Sequence, residues 1–178
     1  MAIFGKLPID PSSAANEIIL KVRDETNDNR PNWNATVKKV LRERADKNLY
    51  HVYPDPEVKN QGWLLDLIWF DRQKGTVQLA VESELGTEGE VLDDFQKLLC
   101  IKAPLKIMIY YAYKKSYVNN FVDYMMAFDQ HVKDEHYLVV EFAPGPEDKA
   151  YLYQVPNDGR LTKQAEFSKL ILGKQAAA

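Results

Sequence analysis

The sequence predicts an α/β fold with a central mixed sheet flanked by helices, on three observations. Apolar residues recur at helical spacing in two segments near the start of the chain. Two strand-like runs, residues 63–70 and 76–85, are separated by a polar stretch suited to a turn. Residues 105–113 are so apolar that a strand covered on both faces accounts for them best.

Pro11-Ser-Ser opens a helix expected over about residues 12–26, with Ala14, Ala15, Ile18, Ile19 and Val22 on one face and Asn27-Asp-Asn-Arg-Pro marking its end. Asn32 or Asn34 can cap a second helix that turns Val37, Val40, Leu41 and Ala45 inward. Residues 49–53 are rich in strand formers and stop at Pro54-Asp-Pro, which breaks any ladder. Asp71-Arg-Gln-Lys-Gly75 then joins 63–70 to 76–85 as a hairpin. A helix over about 90–102 gathers Val91, Leu92, Phe95, Leu98 and Leu99 on one face and ends at Pro104. Beyond the buried strand 105–113, residues 117–133 read as a helix with Val118, Phe121, Val122, Met125 and Phe128 inward. Strands at 137–142 and 150–155 flank the Pro144-Gly-Pro loop, Asn157-Asp-Gly is a turn, and residues 164–172 are expected to form a terminal helix.

A length of 178 residues, 46% hydrophobic and 28% charged, fits one globular domain over 1–178. No apolar run approaches the ~18 residues that cross a bilayer, and the opening Met1-Ala-Ile-Phe-Gly-Lys-Leu-Pro lacks the features of a secretion signal, so a cytoplasmic protein is expected. The lone Cys100 cannot form an internal disulfide, and its apolar helical setting predicts a buried structural thiol. Three scattered histidines, His51, His131 and His136, do not make a zinc site, and neither a phosphate-cradling glycine loop nor a serine-nucleophile elbow is present. A net charge of −3 removes the simplest electrostatic case for nucleic acid, so any DNA-binding face must be local. Lys38, Lys39, Arg42, Arg44 and Lys47 on the second helix, and Lys114-Lys115 beside Tyr110, Tyr111, Tyr113 and Tyr117, could supply one; a solvated helix face and a loop edge are the plainer reading.

The chemistry concentrates in the hairpin. Asp66 is the one charge in Trp63-Leu-Leu-Asp-Leu-Ile-Trp-Phe, and the next strand ends in Glu82-Ser-Glu84. An ionised carboxylate taken out of water costs several kcal/mol unless a cation or hydrogen-bond donors offset it. Strand alternation puts Glu82 and Glu84 on one face, and a tight hairpin can bring Asp66 beside them. Three carboxylates around one point suit Mg²⁺ or Mn²⁺ better than zinc. An edge strand with Asp66 outward and both glutamates solvated would give the same letters.

The order of these elements resembles the PD-(D/E)XK, or restriction-endonuclease-like, nuclease superfamily, in which one strand delivers an Asp, the next delivers Glu-x-Lys, and a helix packs behind the sheet. Asp66, Glu82 and Glu84 occupy those places, and Asp94-Phe-Gln-Lys-Leu98 resembles a pattern in the helix that follows the catalytic strand of some members. The resemblance covers roughly residues 12–113 and implies a restriction-endonuclease-like core. It implies Asp66 and Glu82 as metal ligands, joined by the Ser83 carbonyl oxygen, with Mg²⁺ or Mn²⁺ as cofactor and DNA as substrate. A homodimer is compatible with it, since many such nucleases pair to cut both strands.

Glu84 stands where the family's catalytic lysine is usual, and a minority of restriction enzymes carry Glu-x-Glu there and are active. Glu84 would then orient or deprotonate the attacking water or bind a second metal. Lys97 could reach round to replace the missing ammonium, although helical spacing sets it almost opposite Leu92, Phe95 and Leu99. Gln96 resembles the helix glutamine of some exonuclease relatives, whose tyrosine four residues on is Cys100 here. Asp55, bracketed by prolines, is a poorer match than Asp66, and Glu17 or Glu25 could add an acid from the first helix. The rival expectation is a catalytically inactive binding or protein-interaction module on the same scaffold, favoured by the missing lysine and the acidic balance.

Overall fold

The computed structural model describes residues 7–26, 32–47, 50–55, 64–144, 147–155 and 161–168. Their order is α1 (Pro11–Thr26), α2 (Trp33–Lys47), β1 (His51–Tyr53), β2 (Leu67–Asp71), β3 (Thr76–Glu84), α3 (Glu88–Cys100), β4 (Leu105–Tyr111), α4 (Val118–Ala127), β5 (Glu135–Phe142), β6 (Lys149–Val155) and β7 (Thr162–Ser168). The strands form one seven-stranded mixed sheet in chain order. Two hairpin steps bring β1 to β2 and β2 to β3 antiparallel, α3 and α4 carry the parallel steps to β4 and β5, and β6 and β7 return antiparallel. Parallel neighbours need crossovers long enough to hold a helix, which is why helices stand at those two steps.

Strand alternation divides the core in two. Leu105, Ile107, Ile109 and Tyr111 of β4 pack with the buried stripes of α1 and α2, while Met108 and Tyr110 pack with α3 and α4. Every residue of β4 is buried, as its apolar run predicts. The inward faces expected for α1 and α2 are all buried: Ala14, Ala15, Ile18, Ile19 and Val22 on one helix, and Val37, Val40, Leu41 and Ala45 on the other. Arg23 ties α1 to residues beside the ends of β5 and β6. Its guanidinium forks onto Asp148 at 2.9 and 2.6 Å, donates to the Ala143 carbonyl at 2.8 Å, and lies over the Trp33 ring. Among the described residues, no helix is long and apolar enough to cross a membrane.

Four local expectations are corrected. The terminal helix expected at 164–172 is instead strand β7 over Thr162–Ser168, with 169–172 outside the described residues; backbone pairing with β6, in which Ala165 sits opposite Leu152, outweighs a weak helical pattern. The fourth helix stops at Ala127, because Phe128 leaves in extended conformation while its N–H closes the last turn on the Tyr124 carbonyl. Asp66 lies in a bend before β2, outside the strand. Cys100 is exposed, since it ends α3 just past Leu98 and Leu99, the last residues of the buried stripe. The turns expected at 27–31 and 157–159 fall outside the described residues.

Candidate active site

The β2–β3 hairpin brings Asp66 and Glu82 together one position beyond the Leu67–Val81 pair. The Asp66 amide donates to Glu82 Oε2 at 3.1 Å, and the Ser83 amide donates to Asp66 Oδ2 at 2.9 Å. Each carboxylate thus caps the other strand's backbone where the regular ladder has ended, which fixes both without a covalent link. The side chains leave in different directions. Glu82 follows Ala80 onto the α3 side of the sheet, whereas Ser83 follows Val81 toward α2.

Two helices close over this pair. From α2, Asn34 Oδ1 accepts the Ser83 hydroxyl at 2.8 Å, and one turn later Lys38 Nζ lies 2.6 Å from Asp66 Oδ1. From α3, Lys97 Nζ lies 4.0 Å from Glu82 Oε1 and 2.5 Å from Asp94 Oδ1. Lys97 therefore reaches the site, contrary to the helical-wheel expectation. Phe95, Leu98 and Leu99 are buried beneath α3, and the lysine's long stem carries its ammonium back over the edge of that face. A Thr87–Glu90 capping box fixes where α3 begins.

The electrostatics centre on Glu82, which is 3% exposed. Burial raises its carboxyl to about 8, with the negative charges of Asp94 and Asp66 adding to the shift and the Asp66 amide and Lys97 opposing it. Its Oε1 has no hydrogen-bond partner among the described residues. Asp94 holds the Lys97 ammonium above its ordinary range, so Lys97 is charged. A buried carboxyl oxygen without a partner among the described residues, beside a second carboxylate, is suited to a hard divalent cation once its proton is released, and in that respect Asp66 and Glu82 fit the metal that the resemblance implies.

Asp66, Glu82, Ser83 and Lys97 are thus brought to one place, and Glu84 points elsewhere. Glu84 Oε1 accepts from the Gly86 amide at 2.5 Å, and Glu90 also folds over Gly86, where an added Cβ would meet both carboxylates. Among the described residues no three His, Cys, Asp or Glu side chains are grouped as metal ligands. Glu17 is paired with Arg44 and Glu25 with Lys39, so the two α1 glutamates are engaged away from Asp66. Gln96 is exposed. Sequence reading missed Asn34, Lys38 and Asp94 as neighbours of the site. The available signal was the i, i+4 spacing of Asn34 and Lys38 beside the buried Trp33, Val37 and Leu41. The basic stretch of α2 is largely neutralised in place, by Asp66, Glu25 and Glu17.

No protein-family model matches the chain, and no curated protein matches it in sequence.

Proposed function

We propose that the chain is a metal-dependent nuclease that hydrolyses phosphodiester bonds in DNA, on a restriction-endonuclease-like core, acting in the cytoplasm. The observation that carries this reading is Glu82: a buried carboxyl with one oxygen unpartnered among the described residues, fixed beside Asp66 by backbone hydrogen bonds, with a charged lysine 4.0 Å away. The element order agrees with it, since a hairpin is followed by a crossover helix and a strand parallel to β3.

Asp66, Glu82 and the Ser83 carbonyl oxygen would hold Mg²⁺ or Mn²⁺. When bound, the cation supplies Lewis-acid polarisation of a phosphate oxygen and a more acidic water. The protein's own groups do the rest. The Asp66 amide already orients Glu82 by donating to its Oε2, and the carboxyl, which burial keeps protonated up to about pH 8, would release that proton on taking up the cation. Lys97, kept charged and oriented by Asp94, stands in for the lysine that Glu84 replaces and faces the phosphate's developing charge. Glu84 gives up Gly86 to orient the attacking water or accept its proton.

A second reading, a binding or interaction module without catalysis, is favoured by Glu84 being turned to Gly86 and by the pairing of the α2 cations with acids. Calorimetric titration of Mn²⁺ and Mg²⁺ into the wild type and an Asp66→Asn, Glu82→Gln double variant separates the two. Incubation of both proteins with plasmid and single-stranded DNA completes the test. Binding and cleavage that both vanish in the variant support the nuclease. Absence of binding by the wild type at millimolar metal leaves the module.

A further inference from the structure

Asp66 is the more engaged of the two carboxylates. Ser83 N–H holds Oδ2 at 2.9 Å, and the Lys38 ammonium sits on Oδ1 at 2.6 Å. Glu82 shows the opposite condition, with Oε1 buried, unpartnered among the described residues, and 4.0 Å from Lys97. The pair is therefore neutralised at its Asp66 end by a cation from α2 and left open at its Glu82 end.

Lys38 is well placed to let go. Its side chain is 27% exposed and that of Asp66 is 24% exposed, so an ammonium on a flexible four-carbon stem can swing to water without uncovering the core. The helix that carries it stays in place meanwhile, since Asn34 holds Ser83 and the Trp33, Val37 and Leu41 side chains are buried. A divalent cation shared by Asp66 and Glu82 would meet the ammonium as a like charge and compete with it for Oδ1.

We propose that Lys38 is an internal counter-ion which occupies Asp66 in the metal-free protein and must be displaced for a divalent cation to bind, so that this lysine sets the metal affinity of the site. The inference rests on the metal-binding reading of Asp66 and Glu82. It makes Lys38 a positioning residue that acts through Asp66, with its effect on binding rather than on bond cleavage.

The test is calorimetric titration of Mn²⁺ alone into the wild type, Lys38→Met, Lys38→Gln, Lys38→Arg and Lys39→Met. Lys39 lies beside Glu25 at 3.4 Å and controls for the general loss of one positive charge. The expected result is about ten-fold tighter Mn²⁺ binding in Lys38→Met and Lys38→Gln, with Lys38→Arg and Lys39→Met within about two-fold of wild type. Unchanged or weaker binding in both neutral variants overturns the counter-ion role while leaving the metal site intact. A gain of equal size in Lys39→Met also overturns it, because the effect would then be one of net charge. If neither the wild type nor any variant binds, the metal reading and this inference fall together.

Discussion

Lys97 Nζ stands 4.0 Å from Glu82 Oε1, close enough to lower the energy of the ionised carboxylate and too far to donate a hydrogen bond to it. Glu82 consequently keeps a carboxyl raised to about 8 despite a lysine at its side, because burial and the charges of Asp94 and Asp66 outweigh that lysine.

This fixes the sign of a pH dependence. Between the ordinary value of 4.5 and about 8 the folded chain holds a proton on Glu82 that the unfolded chain has released. The stability that this provides is fully present below 4.5 and is lost as pH rises through about 8. Urea unfolding in the presence of a chelator should show Glu82→Gln matching the wild type near pH 4 and exceeding it by about 2 kcal/mol near pH 9. The gap is smaller than the full separation gives, since the protein around the newly charged group relaxes to accommodate it. A constant difference across that range would sink the assignment.

Lys106 and Glu135 form an ion pair in the core, at 1% and 0% side-chain exposure, with the Leu99 carbonyl and Tyr137 hydroxyl taking the remaining donors of the ammonium at 3.1 and 3.2 Å. Burial pushes the Lys106 ammonium down and Glu135 opposes the shift. Glu135→Gln leaves the lysine without its counter-charge and should cost about 3–5 kcal/mol. Lys106→Met combined with Glu135→Leu should recover most of that loss in chemical denaturation, because no buried charge is then left unpaired.

Thr87 caps α3 by accepting the Glu90 amide, while the Glu90 carboxylate accepts the Thr87 amide at 2.7 Å. Thr87→Ala should lower stability by about 1 kcal/mol, read as a melting temperature about 2–4 °C lower for a chain of this size. Thr87→Ser should restore it, and an unchanged melting temperature in Thr87→Ala would show that the cap contributes nothing.

Much of the architecture was legible because it is encoded in local spacing. The helical stripe Ala14, Ala15, Ile18, Ile19, Val22, the turn before Thr76 and the unbroken apolar run of β4 each specify their element within about ten residues. Asp66 and Glu82 were legible for the same reason: a hairpin fixes who faces whom, so two acids many residues apart in the chain become neighbours by register alone.

What the sequence determined by itself is therefore the element order from α1 to β6, the two covered faces of the sheet and the approach of Asp66 to Glu82 across their hairpin. Tertiary structure alone decided the rest. Residues 162–168 form a strand because β6 offers an unpaired edge there, a fact absent from their own pattern. Lys38, one of several cations on α2, meets Asp66 because packing sets the face it shares with Asn34 against Ser83, while Lys39 on the neighbouring face meets Glu25, and Lys97 reaches Glu82 because its flexible stem can bend over the rim of α3. Glu84, in register with Tyr110, is drawn to the Gly86 amide by the turn into α3. Periodicity names the face a side chain leaves from; packing decides what its charged end meets.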